Sequence, residues 1–240
     1  MLERRRGCRY LLLLVVTAAF SPDSLSQAPP NSSSAKTAQS SQTIVHSNST
    51  LDAGTISAGS YRNKTLGLAC KIPEGWVLRT DEMNARDESN PTAEPSGTDP
   101  SKSAPSAAPS EAAKVLLAAF SRPPEAKGED VNSSILIAAE SVSAYPGLKE
   151  AGQYFEPLTE VAKAQGFLVD EEPYEYALGA KTLVRGDFHK DVGTRVMRQS
   201  TLVMLARGYA VSITVIGGTE DEVEELVDGL SFDAGAKKSK

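Results

Sequence analysis

The 240-residue chain predicts an α+β fold in which helices pack on an antiparallel sheet. Three observations point there. Short apolar runs of strand length follow one another through the second half of the chain. The last two runs are joined by the two-residue turn Arg207-Gly208, as in a hairpin. Helical spacing of apolar residues occurs before Gly166 and after Thr219, so helices and an antiparallel sheet share one core.

Taken in order, Tyr61 to Lys71 leads into Ile72-Pro73-Glu74-Gly75, where Pro and Gly mark a tight turn before Trp76-Val77-Leu78. Lys114 to Ser121 and Ser134 to Val142 are strongly apolar strands. Gly147 to Gln165 is helical, with Leu148, Ala151, Phe155, Leu158 and Ala162 on one face and Gly166 as the stop. Pro157 inside that pattern predicts a kink, or two short helices with Pro157 opening the second. Four strands follow: Phe167 to Tyr176, Lys181 to Phe188, Arg195 to Ala206 and Tyr209 to Ile216. In the last, Tyr209, Val211, Ile213 and Val215 face one way. Thr219 and Glu222 form a capping box, and Val223, Leu226, Val227 and Leu230 make the following helix amphipathic.

The first 26 residues read as a secretory signal: Arg4, Arg5, Arg6 and Arg9 precede the apolar run Leu11 to Phe20, with Ser24 and Ser26 before the expected cleavage point. The run is shorter than the roughly 20 residues that span a bilayer. The expectation is a chain secreted or periplasmic after cleavage, with no transmembrane segment. Residues 27–59 are polar and lack aromatics. Residues 84–111 hold five Pro and six Ser and no Val, Ile or Leu. Both segments are too poor in apolar surface to offset their chain entropy, so both are expected to be disordered. All twelve aromatics beyond the signal lie elsewhere. One domain at 60–233, interrupted by the 84–111 insert and followed by a basic tail at 234–240, is the organisation this implies.

Charge and residue inventory exclude several functions. The signal removes four Arg and two acidic residues, leaving 21 basic against 29 acidic residues and a net charge of −8. Such a chain does not attract nucleic acid as a whole. Two histidines exclude a three-His metal site. Cys8 falls in the signal, so Cys70 is left without an intrachain disulfide partner and reads as a buried apolar residue on a strand. Asn31, Asn48, Asn63 and Asn132 open N-x-S/T sequons, which matter only in a eukaryotic host.

The run Tyr61-x-Asn63, then Ile72-Pro73-x-Gly75-Trp76, then Arg207-Gly208-Tyr209-Ala210-Val211-x-Ile213 before an acidic helix resembles the PsbP-like fold family, which includes bacterial envelope domains of the DcrB type. The resemblance spans Gly59 to Asp233 and rests on the order of elements. It implies an antiparallel sheet sandwiched between helices, and a non-catalytic accessory or protein-binding domain of the cell envelope, with an envelope or membrane-associated protein as partner. It carries over no site residue, and the Pro-rich insert departs from its compact pattern.

No nucleophile elbow, C-x-x-C pair, H-E-x-x-H, Walker A or G-x-G-x-x-G motif occurs, so no catalytic, cofactor or metal residue is assigned and the chain is not expected to be an enzyme. The weaker candidates are four. Asp187, His189 and Asp191 alternate and would project from one strand face, where a divalent ion is conceivable; a solvated strand end explains them with less. Gly217-Gly218-Thr219 opens a helix, but Glu220, Asp221 and Glu222 would repel an anion, so it reads as a cap. Asp170-Glu171-Glu172 reads as a charged strand edge that discourages sheet pairing. Trp76, Tyr61, Tyr145, Tyr174 and Tyr176 offer a ligand groove, with Tyr174 and Tyr176 on one face and Tyr145 near them. The alternative to a protein-binding domain is therefore a small-ligand or metal carrier using a cleft between sheet and helix.

Overall fold

The computed structural model describes residues 51–89, 114–126, 128 and 130–233. The signal, the sequons at Asn31 and Asn48, most of the insert and the basic tail lie outside them. The strands are β1 (Thr55–Ser57), β2 (Ser60–Asn63), β3 (Leu68–Lys71), β4 (Val77–Leu78), β5 (Lys114–Phe120), β6 (Ser134–Ser141), β7 (Leu168–Val169), β8 (Tyr174–Leu178), β9 (Lys181–Val192), β10 (Arg195–Ala206), β11 (Tyr209–Gly217) and β12 (Leu230–Phe232). The helices are α1 (Thr80–Ser89), α2 (Phe155–Ala164) and α3 (Glu220–Asp228), with 3-10 turns at Val142–Ala144 and Ala151–Tyr154.

These strands form two antiparallel sheets where one was expected. The larger runs β4-β5-β6-β11-β10-β9-β7, with β8 also on the outer edge of β9; the smaller runs β1-β2-β3-β12. The β10–β11 hairpin is as the sequence predicts. Arg207 and Gly208 have φ of 56° and 83°, the paired positive values of the tight turn that matches strand twist. Leu202, Val211, Ile213 and Val215 are fully buried on one face of the large sheet with Leu117, Ile135 and Ile137. A register shift between Val115 and Leu117 places Leu116 and Leu117 together in that cluster, while Val115 joins the opposite face.

Helices lie on both faces of the large sheet, but one of those faces is shared with the small sheet. One face carries α1, through Met83 against Val115, Ala118 and Phe120, and α2, through Phe155, Leu158 and Ala162 against Phe188, Val203 and Ala210. The other is covered by α3 together with the small sheet, whose Tyr61, Leu68, Cys70 and Phe232 enter the main core. A second sheet thus does much of the work expected of a helix layer.

Three boundaries also move. Residues 51–59, assigned to the polar tail, pack: Leu51 is buried, β1 pairs with β2, and the Tyr61 ring lies so close over Gly54 that a Cβ there would meet it at 2.4 Å. Residues 84–89, assigned to the insert, complete α1. That helix extends the edge of β5 with side chains. Thr80 Oγ1 accepts from Ala118 N at 3.0 Å, and the Asn84 amide bonds both Val115 N and O at 3.0 Å. The predicted 167–176 strand is two pieces, β7 and β8, separated by the acidic run. The expected break near Pro157 falls earlier, where the 3-10 turn passes into α2 at Phe155, and Gly166 (φ 84°) ends the helix as expected.

The contact between α2 and the sheet depends on Gly186, because a Cβ there would lie 2.6 Å from the Phe155 ring. Phe155 is 2% exposed and has no space to turn away. Gly186→Ala is therefore expected to cost about 2 kcal/mol in urea unfolding with an unchanged denaturant slope. Phe155→Leu in the same chain should recover part of that loss; an additive second penalty would show that the ring is not the obstacle.

Candidate functional site

Strand β9 alternates, so Leu183, Arg185, Asp187 and His189 project toward the face that carries α3. Arg185 is only 5% exposed, an unusual position for a cation. Its Nε donates to both Asp187 carboxylate oxygens at 3.0 and 3.1 Å. Nη1 donates to Glu224 of α3 at 3.1 Å, and Nη2 bonds the other Glu224 oxygen. The guanidinium also lies 5.1 Å from the Tyr176 ring centre on β8. Burial works against its charge, but the bonds to Glu224 and the nearby Asp187 outweigh it and the pKa is raised.

Around this group opens a half-open cleft of about 260 Å³ between α3 and strands β8, β9 and β10. Asp170 and Glu171 enter from the β7–β8 connection, Tyr174 from β8, Arg198 from β10, and Glu220 and Glu224 from α3. Tyr174 donates to Asp187 at 3.0 Å; burial, then the Asp187 charge, pushes its hydroxyl up to about 12. Arg198, opposite Gly217, is half-buried and makes no side-chain bond among the described residues.

The alternating triplet does share a face, yet its groups are engaged separately. Asp187 is held by Arg185 and Tyr174, and His189 pairs with Asp170. Asp191 stands exposed near the β9–β10 turn. Among the described residues no group of three or more His, Cys, Asp or Glu is placed to hold a metal ion. The acidic run is more than an edge, since Asp170 and Glu171 form part of the cleft wall.

The five aromatics do not make one groove. Tyr174 and Tyr176 share a face of β8, but Tyr145 packs on the opposite side of the large sheet with Tyr154. Tyr61 is a core residue, its hydroxyl pushed up to about 12 chiefly by burial, and Trp76 packs half-buried against the same core. Gly217-Gly218-Thr219 is a cap. Thr219 Oγ1 accepts from Glu222 N at 3.1 Å, and the Glu222 carboxylate takes the Gly218 N–H at 2.8 Å. The sequon Asn63 is 1% exposed and spends its amide on Asp52 O and the Tyr61 hydroxyl, so it offers no surface acceptor in the folded chain.

Cys70 is fully buried on β3, and burial pushes its thiol up to about 12. In the folded protein it should resist a disulfide reagent near the ordinary thiol pKa of about 8.5. It should react only at the rate of unfolding; rapid reaction in native buffer would contradict the placement.

No family model and no curated protein matches the chain. Solved structures similar to it include cyanobacterial PsbP from Synechocystis, at 13% identity over 72% of this chain and 91% of that one, TM-score 0.39. LpqN, involved in cell envelope biogenesis of Mycobacterium tuberculosis, is similar at 12% identity over 68% of this chain and 82% of that one, TM-score 0.34. A Pseudomonas aeruginosa protein of unknown function is 17% identical over 42% of this chain and 67% of that one, TM-score 0.31.

Proposed function

We propose that the protein is an exported, non-catalytic binding domain of the cell envelope, and that its cleft receives a basic segment of a protein partner. The supporting observation is the charge of the cleft. Asp170, Glu171, Asp187, Glu220 and Glu224 set five carboxylates against two guanidinium groups, Arg185 and Arg198. Arg185 is already committed to Asp187 and Glu224, whereas Glu171 and Glu220 are exposed. A Lys or Arg side chain entering there meets uncommitted carboxylates and displaces no core group. Electrostatic attraction of this kind speeds encounter and selects partner charge. The Arg-rich start followed by an apolar run supports export.

A small zwitterionic ligand is the second reading, favoured by Arg198, a half-buried cation without a side-chain partner inside an otherwise acidic cleft. The two readings separate with simple probes. A short oligolysine peptide should bind and shift backbone amide resonances in β8, the β7–β8 connection and α3. High salt and the double variant Glu171→Lys/Glu220→Lys should each abolish that binding. Equal binding to the double variant would overturn the basic-segment reading. Binding of free amino acids, lost in Arg198→Ala, would support the second.

A further inference from the structure

Away from the cleft, on the face that carries α2, the carboxyl of Glu140 is 7% exposed near the end of β6. Its carboxyl accepts from the hydroxyl of Tyr145, just after the first 3-10 turn, and interacts electrostatically with the hydroxyl of Tyr154 at the end of the second. The two rings meet edge to face, with centroids 5.9 Å apart and planes at 87°. Tyr154 is buried, and Tyr145 packs against the cluster built by Phe155, Leu158 and Phe188. Val142 N also donates to Gly208 O at 2.9 Å, and Val142, Leu148 and Ala151 pack against the same cluster. The Glu140 carboxyl is thus a polar anchor, beside apolar packing, for residues 142–154, the connection between β6 and α2.

Among the described residues no cation faces that carboxyl. Its opposite neighbour on β11 is Ala210. Lys114 of β5 is exposed and sits opposite Ala139, whose side chain is on the other face of the sheet. Arg207 is in the exposed hairpin turn, and Lys149 and Glu150 are exposed before the second 3-10 turn. Buried carboxylates in stable cores are ordinarily paired with a positive group, and an unpaired one carries its desolvation cost in full.

We propose that Glu140, Tyr145 and Tyr154 form an acid-closed latch, which holds residues 142–154 on the sheet while the carboxyl is protonated and loosens them as it ionises. Burial raises the Glu140 pKa above its ordinary value, and the tyrosyl bonds lower it by less. Opening returns the carboxyl to water and to its ordinary pKa. The closed state is therefore fully favoured below the ordinary pKa of about 4.3, and loses ground as pH rises through the raised one. Tyr145 carries the Tyr154 ring with it through their edge-to-face contact, so the segment moves as a unit.

The test is amide hydrogen exchange of the full chain from about pH 5 to about pH 8, corrected for the intrinsic rate, with Glu140→Gln and Tyr145→Phe beside the wild type. The opening constant of 142–154 should rise with pH in the wild type, while β10 and β11 stay protected. In Glu140→Gln it should be flat across the same range. Tyr145→Phe should remain folded and keep the slope with a higher baseline. A Glu140 carboxyl resonance titrating at the ordinary value, a pH-independent wild type, or an unchanged slope in Glu140→Gln would each overturn the latch.

Discussion

A guanidinium with almost no water around it has to be neutralised by its neighbours, and at Arg185 that requirement organises one side of the molecule. The group is 6% exposed at the side chain, and its donors reach Asp187 on its own strand and Glu224 on a helix that follows 39 residues later. Removing two charges from water costs several kcal/mol per ion, and close, multiply bonded geometry is what returns it. The bonds to both Asp187 oxygens and both Glu224 oxygens supply that geometry. They also fix where α3 begins its course over the sheet, so the spacing of the cleft walls follows from a single ion network. Glu224 is 43% exposed, so its half of the network is softened by solvent while the Asp187 half is not.

The opposite face handles a buried charge differently. Glu140 accepts from the Tyr145 hydroxyl and, among the described residues, faces no cation, so it is hydrogen-bonded without its charge being neutralised. One face of the large sheet therefore holds a network that stabilises its elements at neutral pH, and the other holds a group whose ionisation works against burial. Between them the sheet is ordinary: alternating apolar residues, one register shift in β5, and a hairpin whose turn chemistry fits its twist.

Much of this architecture is legible in residues. The β10–β11 hairpin is announced by Arg207-Gly208 and strict alternation, and α3 by Thr219 and its apolar spacing. Elements held by polar side chains were not legible. Among its described side chains helix α1 buries Met83, and Thr80 and Asn84 bond β5 in place of a neighbouring strand, which no hydrophobic period reveals. Strands β1 and β12 have three residues each, too few to show a period, and depend on the long-range pairing of the small sheet. The candidate site was half legible. Tyr174, the acidic run and Asp187 stand out in the sequence, where a solvated strand end is the simpler reading of Asp187; the structure gives it Arg185 and Tyr174 as partners. Arg185 carries a signal too, since a charged residue on the same face as Leu183 must be answered by something. Glu224, its answer, looked like any solvated position on an amphipathic helix.

The account rests on Arg185 coupling strand β9 to α3, and a double-mutant cycle measures that coupling most directly. Unfolding free energies of the wild type, Arg185→Met, Glu224→Gln and the double variant should give an interaction above about 1 kcal/mol, because both groups belong to one partly buried network. An interaction within about 0.3 kcal/mol of zero would mean that helix and strand hold their positions independently, and that the cleft is not set by this ion pair.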